Sequence, residues 1–245
     1  MPSRRERLLL TSSALVTATV AVGWVVVRTV GDDGSDPVRT GPAPTMAERV
    51  QTVEGEPGEA DPDWVAETAE RHRIPVRAMQ AYAAVELAAD DDLPACNLRW
   101  NTIAGIGSVE SAHGTLGGAS LDADGAPDRP IIGPALDGTN GTRAIESTPE
   151  SEQYHGDEEW DHAVGPFQFL TSSWERYGAD GDGDGVADPT DIDDAARGAA
   201  NHLCLSVEGV ERNLEADGWV PAVFSYNNSM AYVAKVRDIA SSYAG

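Results

Sequence analysis

Residues 105–114 read GIGSVESAHG, a run of small and apolar residues into which one acid, Glu110, is set. On a helix, Ile103, Ile106 and Glu110 fall three and four residues apart, so the carboxyl continues an apolar stripe. Desolvation penalises an ionised carboxylate there and favours its protonated form. That is the state a general acid needs near neutral pH. Gly105, Gly107 and Gly114 remove bulk nearby, so a ligand or another chain segment could approach closely. The structural alternative is a glutamate at a helix end that reaches solvent or bonds the backbone.

A second constellation lies at 180–191, DGDGDGVADPTD. Asp180, Asp182 and Asp184 occupy positions 1, 3 and 5 of an EF-hand calcium loop, Gly185 position 6 and the Val186 carbonyl position 7. Position 12 is Asp191, whose side chain is shorter than the usual Glu. The loop predicts a bound Ca²⁺ with a structural task, tying together the helices on either side. A solvated Asp-Gly turn, or Mg²⁺, is the competing reading. No organic cofactor is expected.

Three segments, in order, resemble those of a known family: AGIGSVESAHG, AVGPFQFLTSSWERYGADGDGDG and FSYNNSMAYV. The family is the lytic murein transglycosylases with a lysozyme-like fold, nearest the membrane-bound B type and its actinobacterial relatives. The resemblance spans residues 61–243. It implies a mainly α domain of the goose-type lysozyme and soluble lytic transglycosylase kind, with an EF-hand-like loop. It implies Glu110 as the single acid/base, with Ser111 orienting it or its backbone. Gln168 would hydrogen-bond the sugar, Phe167 and Phe169 would shape the cleft, and Tyr226 and Asn227 would face Glu110 and support the acetamido group. In the resembling enzymes a later carboxylate, matching Asp194, closes the calcium loop; Asp191 is the alternative.

The implied substrate is the glycan strand of peptidoglycan, cleaved between N-acetylmuramic acid and N-acetylglucosamine with formation of 1,6-anhydro ends. Ordinary glycosidases use two carboxylates. Asp122, Asp124, Asp128, Glu158, Glu159 and Asp161 could supply a second, which would make the chain a hydrolytic muramidase. A wall-binding module without activity is the third reading. Two features depart from the family: residues 115–161 are longer and more acidic, and Leu170 leads into Thr-Ser-Ser where a Pro is common.

The elements that must position these groups read mainly as helices. Asp61 caps a first helix with Pro62 in its opening turn, and Ile74-Pro75 interrupts before a second, whose Val76, Met79, Ala83 and Leu87 make a core-facing stripe. Further helices are predicted at 99–112, 172–178, 194–213 and 219–226, with one more starting near 229. Ser172 and Glu175 have capping-box spacing. Ala196, Ala200, Leu203 and Val207 form a stripe that sets Cys204 beside the core. Residues 115–161 carry many Gly, Pro and Asp and one apolar cluster, with room for a small hairpin.

The N-terminus is a separate matter. Arg4, Arg5 and Arg7 precede an uncharged stretch of residues 8–27, long enough to cross a bilayer. Residues 1–30 are therefore expected to be a signal anchor, or else a cleaved signal peptide. Residues 31–60 read as a flexible extracytoplasmic linker, and 61–245 as the catalytic domain, anchored to the membrane or secreted. Cys96 and Cys204 are expected to form a disulfide in that oxidising setting. The net charge of −24 argues against binding nucleic acid. A monomer is expected.

Overall fold

The computed structural model describes residues 42–139, 142–205, 209, 211–215 and 217–245. The expected membrane segment at 1–30, the linker up to residue 41 and Val207 lie outside them. Among the described residues no helix is long and apolar enough to cross a membrane.

The domain is mainly helical, and one helix is its centre. α3 (Trp100–Ser111) is buried along almost its whole length and packs against α2 (Val76–Asp92), α6 (Ile192–Cys204) and α8 (Met230–Ser242). Its polar side chains are engaged inside: the Asn101 Nδ2 donates to the Thr45 and Ala240 carbonyls, and Thr102 accepts from the Trp219 indole at 3.2 Å. Gly105 lets α8 come close, since a Cβ there would lie 3.2 Å from the Val236 carbonyl oxygen. The glycines before Glu110 therefore admit neighbouring chain segments.

α1 (Pro62–His72) starts as the sequence predicts, with the Asp61 carboxylate accepting from the backbone of Asp63 and Trp64. In α2, Met79 and Ala83 are core residues, whereas Leu87 is half-buried and Val76 is 50% exposed at the helix start. Leu87 still packs against the core, so the expected stripe loses only Val76. α5 (Thr171–Tyr177) follows an extended Leu170, and no side chain caps it, so the Ser172–Glu175 capping box does not form. α6 begins at Ile192 and ends at Cys204, short of the expected 213, because Leu205 turns extended and pairs with Glu211. α7 (Trp219–Tyr226) and α8, capped by Ser229, stand where the sequence puts them.

Residues 42–60 do more than tether. Ala47 and Val50 are buried, Thr52–Val53 and Glu56–Ala60 pair as antiparallel strands β1 and β2, and the Trp100 indole donates to the Glu48 carbonyl. Glu86, 1% exposed on α2, accepts from the backbone N–H of Val50 (3.2 Å) and of Trp100 (2.7 Å). A single buried carboxylate thus fastens this strap to the start of α3.

The insertion at 115–161 contains a helix missed in the sequence, α4 (Pro149–His155). Its signals were present: Thr148 and Ser151 form the capping box, Pro149 opens the helix and Gly156 ends it. Short antiparallel bridges at Leu121–Pro127, Asp137–Ala144 and Glu146–Trp160 give the remainder its form. The Cys96–Cys204 disulfide is present and fully buried, joining the turn between α2 and α3 to the end of α6 with Cα atoms 5.3 Å apart.

Candidate active site

Glu110 lies on the last turn of α3, below the fully buried Ile103 and Ile106. Burial pushes its carboxyl up from the usual range to about 7. Two weaker influences pull the other way: a hydrogen bond from Tyr232 and the positive charge of Lys235, both on α8. The Tyr232 hydroxyl donates to Glu110 Oε1 at 2.5 Å. Oε1 is therefore an acceptor, and a proton on this carboxyl belongs on Oε2.

Tyr232 was missed in the sequence, where attention went to the Tyr226–Asn227 pair. Tyr226 is beside the acid, and Glu110 helps to raise its phenol, but its hydroxyl donates to the Phe167 carbonyl at 2.8 Å. Its ring stacks nearly parallel on that of Tyr232, with centroids 6.5 Å apart. Asn227 closes α7 and leads to the Ser229 cap of α8. A signal for Tyr232 existed: it falls on the buried face of α8 with Val233, Val236 and Ala240, and a buried tyrosine needs a partner for its hydroxyl.

Residues 164–169 form a tight hairpin. Val164 and Phe169 exchange backbone hydrogen bonds across Gly165-Pro166-Phe167-Gln168. Gly165 takes a positive φ and meets the Pro189 carbonyl so closely that no Cβ would fit. Gln168 also takes a left-handed φ of 51°. Its Nε2 donates to the Gly165 carbonyl at 3.0 Å, which fixes the amide, and its Oε1 is buried with no hydrogen-bond partner among the described residues. Ser111 ties this hairpin to the acid's helix: its Oγ donates to the Pro166 carbonyl at 2.5 Å and accepts from the Gly114 N–H at 2.8 Å.

Phe167 and Phe169, expected to shape the cleft, lie in the core. They are 0% and 2% exposed and make edge-on contacts with Tyr82, and with Trp174 and Tyr226, respectively. They support the hairpin from beneath.

Of the acids in residues 115–161, Asp122, Asp128 and Asp161 have partners of their own. Asp122 accepts from the backbone of Asp124 and Ala126, and Asp128 from Ser120. Asp161 is buried 3.3 Å from the His155 ring. Glu158 and Glu159 are exposed.

In the acidic loop, carboxylate oxygens of Asp180, Asp182 and Asp194 lie within 4.8 Å of one another. Asp194 reaches in from α6 and is held there by the N–H groups of Gly181 (2.6 Å) and Asp188 (2.8 Å). Asp182, Asp191 and Asp193 form a second such group, but Asp191 is the N-cap of α6 and Asp193 is paired with Arg77. Asp184 and the Val186 N–H bond each other within the turn.

Residues 150–220 match the family model of the transglycosylase SLT domain. The matched span holds the Gln168 hairpin and the acidic loop; it begins after Glu110 and ends before Tyr226. Among solved structures, that of SltB3 from Pseudomonas aeruginosa in complex with NAG-anhNAM-pentapeptide is 18% identical. The likeness covers 74% of this chain and 67% of that one, at a TM-score of 0.40. No curated protein matches the chain.

Proposed function

We propose that this chain is a lytic murein transglycosylase, a reading supported by the match of residues 150–220 to the SLT domain, and that Glu110 is its single general acid and base. The observation that carries the reading is the environment of that carboxyl, raised to about 7 by burial and oriented by Tyr232. The Oε2 proton passes to the glycosidic oxygen between N-acetylmuramic acid and N-acetylglucosamine as the bond to the anomeric carbon breaks. The muramoyl acetamido oxygen stabilises the positive charge left on that carbon. Glu110, now a carboxylate, takes the proton from the sugar's own C6 hydroxyl as that oxygen closes a 1,6-anhydro ring. The acid is regenerated and no water is consumed. A nucleophile already tied to the substrate has a proximity advantage over free water.

The unpartnered Oε1 of Gln168 supports a sugar-binding role, because a buried acceptor gains most from a donor that arrives with the ligand. Tyr226, which lies beside Glu110, and its neighbour Asn227 would support the acetamido group. A peptidoglycan substrate implies action outside the cytoplasm, and residues 1–30 would serve as anchor or signal.

Calcium is proposed for the acidic loop, held by Asp180, Asp182, Asp184, the Val186 carbonyl and Asp194. Three of those carboxylates converge, and their mutual repulsion is offset most simply by a hard cation with oxygen ligands. Asp194 is the better closing ligand because its carboxylate groups with those of Asp180 and Asp182, whereas Asp191 groups with Asp182 and with Asp193, which is paired with Arg77. The ion would fasten the loop to α6, and through Pro189 it would buttress the Gly165 turn.

Mass spectrometry of muropeptides released from purified peptidoglycan, with Glu110→Gln as control, tests the reading. Anhydro-muramoyl ends, lighter by one water than reducing ends, are expected. Reducing ends alone would make the enzyme a muramidase.

A further inference from the structure

Directly after the acid's helix, three successive residues take positive φ: Ala112 (51°), His113 (63°) and Gly114 (80°). For a residue with a Cβ this costs on the order of 1 kcal/mol and persists only where the surroundings hold it. His113 is held on both sides. It is 7% exposed, its Nδ1 lies 3.1 Å from the Tyr82 hydroxyl on α2, and its Nε2 lies 3.1 Å from the Tyr243 hydroxyl at the end of α8. A neutral imidazole has one donor and one acceptor, and each hydroxyl can complement either. Burial keeps the ring neutral by lowering its pKa to about 4.

The bridge joins the end of the helix that carries Glu110 to the helix that carries Tyr232. Ring contacts extend it: Tyr82 meets Phe167, and Tyr243 meets Trp100 and His72. The proposed mechanism uses none of these groups. We infer that His113 is a positioning residue, a neutral clamp between Tyr82 and Tyr243 that stops the last turn of α3 from fraying and so sets the Glu110–Tyr232 hydrogen bond. The inference rests on the acid role of Glu110.

The groups facing that acid are Tyr232 and Lys235 from α8 and Tyr226 from α7; those facing His113 are Tyr82 and Tyr243. The test is the pH dependence of kcat on soluble glycan strands for wild type, His113→Asn, Tyr243→Phe and Glu110→Gln. Asn tolerates positive φ, so His113→Asn removes the bridge without adding backbone strain. With the clamp lost, Tyr232 no longer holds the carboxylate well, and the alkaline limb of the profile moves to higher pH. Expected are a kcat lower by about tenfold or more, KM within about twofold, and a limb displaced upward by about half a unit or more. Tyr243→Phe should move the same readouts in the same direction by less, and it supplies the answer if His113→Asn does not fold. Unchanged kcat and limb in a folded variant, or a change in KM alone, overturns the inference while inactive Glu110→Gln leaves the acid role standing. An active Glu110→Gln overturns both.

Discussion

The Tyr232 hydroxyl donates to Oε1 of Glu110 at 2.5 Å, across the contact between α8 and α3. The bond does two things to the acid. It lowers a pKa that burial raises, and it assigns the two oxygens different tasks, with Oε1 accepting and Oε2 left to carry the proton.

Tyr232→Phe is therefore expected to raise the Glu110 pKa further, since the lost hydrogen bond favoured the charged form. The alkaline limb of kcat should move to higher pH and the plateau should fall about tenfold to a hundredfold. A pH–rate profile of the folded variant checks both.

Glu110→Gln is expected to abolish activity and to stabilise the domain in a pH-dependent way. The folded pKa of about 7 lies above the unfolded value of 4.5. The protonated form thus supports folding fully below pH 4.5, and that support is lost as pH rises through 7. The amide never ionises, so the variant should gain up to about 3 kcal/mol over wild type at pH 8 and little at pH 4. Denaturant midpoints at the two pH values measure this; an equal gain at both would contradict the buried-acid reading.

Calcium should raise the thermal midpoint of the metal-stripped domain, by about 2.7 kcal/mol in stability at a hundred times the dissociation constant. Asp194→Asn should lose most of that response. Asp191→Asn should keep it, because Asn also serves as an N-cap. The reverse pattern would make Asp191 the closing ligand.

Glu86→Ala leaves the N–H groups of Val50 and Trp100 without their acceptor in a buried setting. A loss of about 3 kcal/mol is expected. Limited trypsinolysis at Arg49 should become faster than in wild type, reporting release of residues 42–60 from the domain.

Replacing both Cys96 and Cys204 with Ser opens a crosslink between residues 108 apart in sequence. The cost expected is about 2–5 kcal/mol, read from denaturant unfolding under oxidising conditions.

The helical character of the domain, the place of Glu110 at the end of a buried apolar helix and the disulfide pair are legible in the sequence. Those features rest on local pattern: Asp61 before Pro62, Glu110 on an apolar stripe, two cysteines in an outward-facing chain. The Asp-Gly loop was legible for the same reason, because its order of carboxylates and glycines is written in consecutive residues. What pattern could not decide was how elements distant in the chain meet. Tyr232 reads as one more residue of a buried stripe until α8 is laid against α3, and only then does its hydroxyl find Glu110. Phe167 and Phe169 flank Gln168 equally in sequence, yet the hairpin turns both rings inward and leaves the amide acceptor unpaired. Residues 42–60 are rich in Pro, Gly and acids, and contacts with distant residues, among them Glu86 on α2 and Trp100 and Asn101 on α3, make them part of the fold. Periodicity fixes which face of an element is apolar; packing alone fixes which polar group lies opposite.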